Sequence, residues 1–319
     1  MTRALLRPAR LREGDTLGFV NPSGALHEDE AYERAHAALR GLGLRTREAP
    51  NLRARYGHMA GTPRQRADDL HAMFSDPGIA GILAVTGGSG ANRVLPLLDM
   101  GLLARHPKFL GGFSDLTALI TAVHVKTGLV TFHSPLGRSS WNPFSTRHFQ
   151  AVAMDSAAAR LTRPDPATDG RPNDEGRCRA LVGGKAQGRL MGGNLAVLTS
   201  LAGTPYFPDL RGALLFLEDV NEYIYRIDRM LTTLALGGHL QQVAGIVLGG
   251  FTQCKPSEGS YGSLTLDEVF MDHFGALGVP VLRGAPFGHI ARKWTLPLGV
   301  PAELDADAGT LRLLEPAVS

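Results

Sequence analysis

Residues 108–120 read Lys-Phe-Leu-Gly-Gly-Phe-Ser-Asp-Leu-Thr-Ala-Leu-Ile, which predicts a short apolar strand, a glycine turn, a serine and a helix. From Leu116 onward, apolar residues recur at i, i+3, i+4 and i+7, the spacing of one helical face. Gly112 permits a sharp bend without a Cβ clash. Such a turn exposes the Ser114 hydroxyl beside backbone N–H groups and a helix N-terminus, as a nucleophilic serine requires. The alternative is that Ser114 or Asp115 only caps the helix.

On both sides of this stretch, apolar strands alternate with helices. Strands are predicted at 15–20, 44–48, 80–85 and 129–132, and helices at 28–42, 62–75 and 91–99. This alternation predicts an α/β fold with a parallel sheet covered by helices. Because ligands of such sheets bind beyond the carboxyl ends of the strands, we expect Ser114, His133 and the loops at 21–24 and 87–90 to meet at one edge.

A change of composition divides the chain. Residues 157–180 are polar and rich in proline and glycine, without helical periodicity, and this predicts a linker. The N-terminal α/β domain is then expected at 1–156 and the C-terminal domain at 181–319. In the second half, strands are predicted at 181–190, 213–217, 243–248 and 279–282 and near the C-terminus, with helices between them.

Composition excludes several classes of protein. Lys and Arg number 33 against 30 Asp and Glu, without a basic block, so no nucleic-acid partner is expected. The two cysteines, Cys178 and Cys254, lie far apart, and His-Glu-x-x-His is absent, so neither a disulfide framework nor a metal site is expected. No apolar run approaches the ~20 residues of a membrane helix, and the N-terminus lacks the apolar core of a signal peptide. The sequence therefore predicts a cytoplasmic location and no membrane partner.

Three residues that follow apolar strands carry the chemistry of acyl transfer: Ser114, Glu218 and His289. A serine hydroxyl needs a base, an imidazole is the best base near neutral pH, and a carboxylate fixes its tautomer. The chain has eleven histidines, however, and His133 at a strand end competes for the role of base. Glu218 has an alternative as the partner of an arginine such as Arg226.

The glycine loop Gly-Gly-Ser-Gly-Ala at 87–91 follows a predicted strand. It matches neither the G-x-G-x-x-G nor the G-x-x-x-x-G-K-[ST] pattern of nucleotide-binding loops. An oxyanion hole, in which backbone N–H groups face a reacting carbonyl, is the better interpretation.

Together these segments resemble the LD-carboxypeptidases, serine peptidases of family S66 that include muramoyltetrapeptide carboxypeptidases and microcin C self-immunity peptidases. The resemblance covers nearly the whole chain. In the first half it rests on Asn-Pro-Ser-Gly at 21–24, Ala-Gly-Thr at 60–62, Arg-Ala-Asp-Asp-Leu at 66–70 and Phe-Ser-Asp-Leu-Thr-Ala-Leu at 113–119. In the second half it rests on Gly-Arg-Leu-Met-Gly-Gly-Asn-Leu at 188–195, Gly-Thr-Pro-Tyr at 203–206, Leu-Glu-Asp-Val-Asn-Glu at 217–222, Tyr-Arg-Ile-Asp-Arg-Met-Leu at 225–231, Gly-His at 288–289 and Leu-Pro-Leu-Gly-Val at 296–300.

The resemblance implies a triad of Ser114, His289 and Glu218, with an oxyanion hole from the backbone amides of Asp115 and Gly88. It also implies an N-terminal parallel-sheet α/β domain, a C-terminal domain with a β-barrel-like sheet and helices, and an active site in the cleft between them. A homodimer without a cofactor is expected.

The implied reaction is hydrolysis of the amide between an L-centre of a diamino acid and a C-terminal D-amino acid, releasing D-Ala from murein tetrapeptide during cell-wall recycling. Arg226 and Arg229 are candidates for binding the terminal carboxylate of this small peptide; the alternative is that they brace neighbouring acids. The family's Arg-Gly-Gly-Tyr-Gly is here Thr-Gly-Gly-Ser-Gly at 86–90, and its His-Gly-Pro is His-Ser-Pro at 133–135. Cleavage of peptidyl- or aminoacyl-nucleotide amides, as in microcin immunity, and muropeptide binding without catalysis therefore remain alternatives.

Overall fold

The computed structural model describes residues 4–163, 178–257 and 262–319, and these form two α/β units. Unit 1 comprises Met1–Ala158, Ala291–Val300 and Pro316–Ser319, and unit 2 comprises Ala159–Ile290 and Pro301–Glu315. The chain therefore passes from one unit to the other four times.

The strands in chain order are β1 Thr16–Val20, β2 Arg45–Glu48, β3 Gly81–Ala84, β4 Phe109–Gly112, β5 Phe132–His133, β6 Arg160–Thr162, β7 Arg179–Val182, β8 Lys185–Asn194, β9 Ala213–Val220, β10 Gly245–Thr252, β11 Val281–Arg283, β12 Leu296–Pro297, β13 Pro301–Asp305 and β14 Thr310–Leu313. The α-helices are α1 Asp29–Arg40, α2 Pro63–Ser75, α3 Met100–Arg105, α4 Leu116–Thr127, α5 Pro143–Ala153, α6 Leu195–Ser200, α7 Ile224–Leu236 and α8 Leu266–Phe274. Within these ranges, no helix combines the length and hydrophobicity needed to span a bilayer.

Unit 1 contains a six-stranded sheet in the order β12-β5-β4-β3-β1-β2. Its first five strands in the chain are parallel, and β12 pairs antiparallel with β5. Strands β3 and β4 are buried throughout, as continuous apolar strands of a covered parallel sheet should be. The predicted parallel-sheet α/β domain is confirmed.

Local sequence signals set the helices that surround this sheet. Thr62 and Gln65 form a capping box at the start of α2, and Pro63 occupies its first turn. Helix α4 is buried continuously from Leu116 to His124, which is why its sequence is apolar on nearly every side. The helix predicted at 91–99 is instead a 3₁₀ helix over Ala91–Leu97, which contains a proline.

Unit 2 contains an eight-stranded mixed sheet in the order β6-β14-β13-β8-β9-β10-β11-β7. Strands β8, β9, β10 and β11 are parallel, and the outer pairs are antiparallel. Helix α7 packs Ile227, Leu231 and Leu234 into the apolar core of this unit. Although the resemblance implied a β-barrel-like sheet, the pairings in the described residues leave β6 and β7 as two edges, so this sheet is open.

The observed division differs from a simple two-domain split. The linker was predicted at 157–180, but its described ends include β6 and β7, which belong to the sheet of unit 2; residues 164–177 lie outside the described residues. The C-terminal domain was predicted at 181–319, yet Ala291–Val300 belongs to unit 1 because Leu296 pairs with His133. Ser319 likewise returns to unit 1, where its backbone N–H donates to the Pro8 carbonyl at 2.9 Å.

Candidate active site

Ser114 lies in the turn between β4 and α4. Its φ is 66°, in the left-handed region that non-glycine residues seldom occupy and that costs about 1–3 kcal/mol. The Ser114 carbonyl accepts a hydrogen bond at 2.9 Å from the N–H of Thr117, in the first turn of α4. A strained serine between a parallel strand and a helix is the geometry of a nucleophile elbow.

The glycine loop after β3 packs directly on this serine. A Cβ atom at Gly87 would lie 3.1 Å from both the Cβ and the Oγ of Ser114. Gly88 has a φ of +126°, and a Cβ atom there would lie 2.8 Å from the Cα of Gly24. The Gly24 N–H in turn donates to the Gly87 carbonyl at 3.0 Å. The glycine loop can approach Ser114 on one side and Gly24 on the other this closely only because Gly87 and Gly88 carry no side chain.

The side chain of Asp115 has a role that the sequence analysis missed. It makes no capping hydrogen bond to α4, so the capping alternative is wrong for this side chain. Its buried carboxylate instead accepts hydrogen bonds from Ser23 Oγ at 2.5 Å and from the Ala91 N–H at 2.8 Å. Burial raises the pKa of this carboxyl, and the hydrogen bonds from Ser23 and Ala91 oppose that rise.

In unit 2, His289 is paired with Glu218. The distance from His289 Nδ1 to Glu218 Oε2 is 2.7 Å, and Glu218 is fully buried at the end of β9. A carboxylate can only accept, so Nδ1 carries the proton and Nε2 is left as the basic nitrogen. Gly288 permits this contact: its φ is +94°, and a Cβ atom there would lie 2.6 Å from Glu218 Oε2.

Backbone hydrogen bonds hold the His289 loop against β10. The Gly250 N–H donates to the Phe287 carbonyl at 3.0 Å, and the Ile290 N–H donates to the Gly288 carbonyl at 2.9 Å. The hydroxyl of Thr252 donates to the His289 carbonyl at 3.4 Å. The imidazole of His289 is thus oriented both by the carboxylate of Glu218 and by the backbone hydrogen bonds of its own loop.

Asp219, the neighbour of Glu218, has a separate role. Its carboxylate accepts hydrogen bonds from Asn194 Nδ2 at 2.9 Å, the Ala196 N–H at 3.0 Å and the Val220 N–H at 2.8 Å. Burial, together with the charge of Glu218, raises its pKa to about 6 despite these hydrogen bonds. Asp219 therefore joins β9 to the start of α6.

The competing histidines have other surroundings. His133 is buried in β5 of unit 1, with its ring centroid 5.6 Å from that of Phe113. His124 Nδ1 lies 2.9 Å from the Leu129 carbonyl oxygen at the end of α4. Among the eleven histidines, the sequence could not show which one meets Glu218, because these two residues are 71 positions apart.

The two candidate arginines lie on α7. Arg226 does not pair with Glu218: its Nη1 lies 3.7 Å from Glu222 Oε2, and its Nε donates to the Tyr225 hydroxyl at 3.2 Å. Arg229 lies over the Tyr225 ring at 5.1 Å from the centroid. Both arginines therefore contact neighbours on or next to their own helix.

Two further observations bear on the chemistry. Cys254 lines a cavity of about 710 Å³ in unit 2, but burial raises its pKa to about 11, so its thiol is protonated at neutral pH and is a poor competitor as nucleophile. Within the described ranges, no group of three or more His, Cys, Asp or Glu side chains is arranged to hold a metal ion.

Comparison with known families places the chain among peptidases. A model of the LD-carboxypeptidase N-terminal domain matches residues 17–134, and one of the LD-carboxypeptidase C-terminal domain matches residues 187–304. The chain belongs to the LD-carboxypeptidase family.

Individual relatives extend along nearly the whole chain. A probable murein peptide carboxypeptidase of Bacillus subtilis is 36% identical, over 98% of this chain and 95% of its own. The murein tetrapeptide carboxypeptidase of Pseudomonas aeruginosa is 33% identical, over 91% of this chain and 93% of its own. The microcin C7 self-immunity protein MccF of Escherichia coli is 28% identical, over 98% and 97%. The structure of MccF in complex with glutamyl sulfamoyl guanosine has a TM-score of 0.88 to this chain and covers 98% of it and 100% of its own.

Proposed function

We propose that this protein is a serine LD-carboxypeptidase. It hydrolyses the amide between an L-centre of a diamino acid and a C-terminal D-amino acid, and releases D-Ala from murein tetrapeptide in cell-wall recycling. The single observation that carries the proposal is the 2.7 Å contact of His289 with the buried Glu218, in a chain whose Ser114 has the geometry of a nucleophile elbow. The murein peptide carboxypeptidases among its relatives support the substrate class.

In the proposed mechanism, Ser114 Oγ attacks the carbonyl of the scissile amide. His289 Nε2 takes the hydroxyl proton and returns it to the leaving amine of D-Ala. Glu218 holds the Nδ1–H and stabilises the imidazolium that forms. Water then attacks the acyl-enzyme with the same base, which regenerates Ser114.

The oxyanion is proposed to be held by the backbone N–H groups of Asp115 and Gly88. The support for Gly88 is that its loop packs directly on Ser114. Donors of this kind act on charge that develops only in the transition state, and one of them contributes on the order of 3 kcal/mol.

Cleaving murein tetrapeptide with and without the nucleophile tests the proposal. Purified protein is incubated with L-Ala-γ-D-Glu-meso-diaminopimelyl-D-Ala, and free D-Ala is measured by mass. The wild type should release D-Ala, and Ser114→Ala should lower kcat by about 10⁵-fold or more. Ser200→Ala, which removes an exposed serine of α6, is the control and should retain full activity. Equal activity of Ser114→Ala and the wild type would refute the assignment of the nucleophile.

Arg226 and Arg229 remain the proposed contacts for the terminal carboxylate of the peptide. Their test compares tetrapeptide with its C-terminally amidated form. If one of them clamps the carboxylate, Arg226→Ala or Arg229→Ala should raise KM about tenfold for the free acid and leave the amide unaffected. An unchanged KM for both variants would assign them to bracing Glu222 and the tyrosines instead.

A second substrate class is favoured by two observations. MccF has a TM-score of 0.88 to this chain in its complex with glutamyl sulfamoyl guanosine, and Thr86 and Ser89 replace the arginine and tyrosine of the family's glycine loop. Rapid cleavage of an aminoacyl sulfamoyl nucleoside, without release of D-Ala from tetrapeptide, would favour this alternative. Binding of tetrapeptide without any turnover would favour the third alternative, a muropeptide-binding module.

We also propose that the protein acts in the cytoplasm as a homodimer. Size-exclusion chromatography with light scattering would test the dimer: a mass near 68 kDa, twice the 34.0 kDa of one chain, is expected, and a mass of one chain would contradict it.

A further inference from the structure

Two buried charges lie beside the serine turn, and the proposed mechanism uses neither of them. One is the carboxylate of Asp115, whose backbone N–H is a proposed oxyanion donor. The other is the guanidinium of Arg66, on α2, which is 1% exposed. Ion burial is costly, so a pair of buried charges that persists needs a physical reason.

The carboxylate of Asp115 holds two loops at once. It accepts a hydrogen bond from the hydroxyl of Ser23, in the loop after β1, and another from the N–H of Ala91, at the end of the glycine loop after β3. Ser23 and Asp115 are 92 positions apart in the chain. A single side chain thereby connects the loops that follow three strands of the sheet.

Arg66 contacts the same two loops. Its Nη1 donates to the Pro22 carbonyl at 2.7 Å and to the Gly90 carbonyl at 2.9 Å. Its Nε has no hydrogen-bond partner among the described residues. Burial, together with the charge of Arg93, lowers the pKa of this guanidinium, and the charge of Asp115 opposes that fall. The guanidinium is thus incompletely solvated by protein groups, and the attraction to Asp115 offsets part of that cost.

The glycine loop cannot hold itself in place by side chains. Gly87 and Gly88 must lack Cβ atoms because they approach Ser114 and Gly24 closely. Backbone that is free of side chains has a large conformational entropy, which must be offset by contacts from elsewhere. Besides the hydrogen bonds from the Gly24 N–H to the Gly87 carbonyl and from the Thr86 N–H to Asn21 Oδ1, the loop is contacted by the buried side chains of Asp115 and Arg66.

We propose that the Asp115 carboxylate, together with Arg66 and Ser23, positions the oxyanion-binding backbone, by locking the glycine loop onto the residue that follows the nucleophile. Asp115 would therefore act twice, through its N–H on the substrate and through its carboxylate on the loop. This inference rests on the proposed function of Ser114 as nucleophile. It goes further in assigning a positioning role to side chains outside the triad.

The test compares two buried aspartates of the same unit. Asp115→Asn removes the charge that opposes the fall in the Arg66 pKa, and it places an amide opposite the Ser23 hydroxyl and the Ala91 N–H. Asp69→Asn is the matched control, because Asp69 is 3% exposed and accepts hydrogen bonds from the Asn51 N–H and Nδ2 and not from the glycine loop. Burial raises the pKa of both carboxyls.

We expect Asp115→Asn to lower kcat for D-Ala release about 30–100-fold with KM changed less than threefold, because the hole acts on the transition state. Ser23→Ala, which removes one of the two hydrogen bonds, should lower kcat about three- to tenfold. Asp69→Asn should keep kcat within twofold at any temperature where it is folded. Thermal unfolding of each variant is measured in parallel, so that loss of folded protein is separated from loss of rate.

A second readout does not depend on the substrate. The rate at which a fluorophosphonate labels Ser114 should fall in Asp115→Asn and not in Asp69→Asn. If the wild type is labelled at Ser114 but does not cleave tetrapeptide, the proposed substrate is wrong. The positioning role is then decided by the labelling rates alone: slower labelling of Asp115→Asn supports it, and an unchanged rate overturns it. If the wild type cleaves tetrapeptide and Asp115→Asn matches it in kcat and labelling, the positioning role is overturned while the proposed function survives.

Discussion

The serine turn of unit 1 and the Glu218–His289 pair of unit 2 are built by opposite means. Around Ser114, the strained backbone, the glycine loop and two buried charges fix the position of main-chain groups. Around His289, one short contact to a fully buried carboxylate dominates, and Glu218 Oε1 has no hydrogen-bond partner among the described residues. The region around Ser114 fixes the positions of backbone groups. The region around His289 supplies a buried carboxylate whose charge is little screened by solvent.

The two regions have one structural feature in common. In each of them an aspartate directly follows the proposed catalytic residue: Asp115 follows Ser114, and Asp219 follows Glu218. Each of these aspartates is buried, accepts backbone N–H hydrogen bonds and has a raised pKa because of burial. The aspartate that follows each proposed catalytic residue therefore ties its own segment to neighbouring backbone.

The largest effect is expected from neutralising the carboxylate of the histidine pair. Glu218→Gln keeps the shape but permits the wrong imidazole tautomer, and kcat for D-Ala release should fall about 10⁴-fold. Asp228→Asn, which alters the Asp228–His273 contact between α7 and α8, is the control and should stay within twofold. Activity of Glu218→Gln within tenfold of the wild type would show that the buried carboxylate is dispensable.

A smaller loss should follow when a methyl group is forced between the two members of the pair. In Gly288→Ala the new Cβ would lie 2.6 Å from Glu218 Oε2, so the carboxylate must move and kcat should fall about 10³-fold. Gly278→Ala has a similarly unfavourable φ of +70° but meets nothing within 4 Å, so it isolates the backbone strain. If both variants lose the same activity, strain and not the displaced carboxylate is responsible.

The corresponding glycine substitution in the serine region should lower kcat less, because several contacts hold the glycine loop in place. In Gly88→Ala the new Cβ would lie 2.8 Å from the Cα of Gly24, and we expect kcat to fall about 10²-fold, the value of one misplaced oxyanion donor. Gly14→Ala, with a φ of +86° and nothing within 4 Å, is its control. A wild-type kcat in Gly88→Ala would remove this loop from the proposed oxyanion hole.

The smallest effect concerns stability and not rate. Burial raises the pKa of Asp219 from 3.8 to about 6, so between these values the folded protein binds a proton that the unfolded chain has released. The contribution of Asp219 to the free energy of unfolding should therefore fall as pH rises from about 4 to about 6, by roughly 2–3 kcal/mol.

Asp219→Asn does not titrate and provides the reference for that measurement. The difference in the free energy of unfolding, wild type minus variant, is measured by urea denaturation at pH 4 and pH 7. This difference in the free energy of unfolding should be smaller at pH 7 than at pH 4. A difference that stays constant, or that grows with pH, would show that the hydrogen bonds from Asn194, Ala196 and Val220 outweigh burial.

Short-range patterns predicted much of the fold. The apolar spacing after Ser114 predicted α4, and Thr62, Pro63 and Gln65 predicted the start of α2. These signals work because helical periodicity and capping involve residues three or four positions apart. The same locality explains the failure at 91–99, where the pattern did not distinguish a 3₁₀ helix from an α-helix.

The sequence by itself determined the alternation of strands and helices, the elbow around Ser114 and, through the resemblance, the identity of the candidate triad residues. Only the tertiary structure decided that His289 is the histidine that meets Glu218, that Asp115 reaches Ser23, and that residues 291–300 join unit 1. The physical reason is distance along the chain. Contacts between residues 71 and 92 positions apart depend on how whole strands pair in a sheet, and no local propensity encodes that.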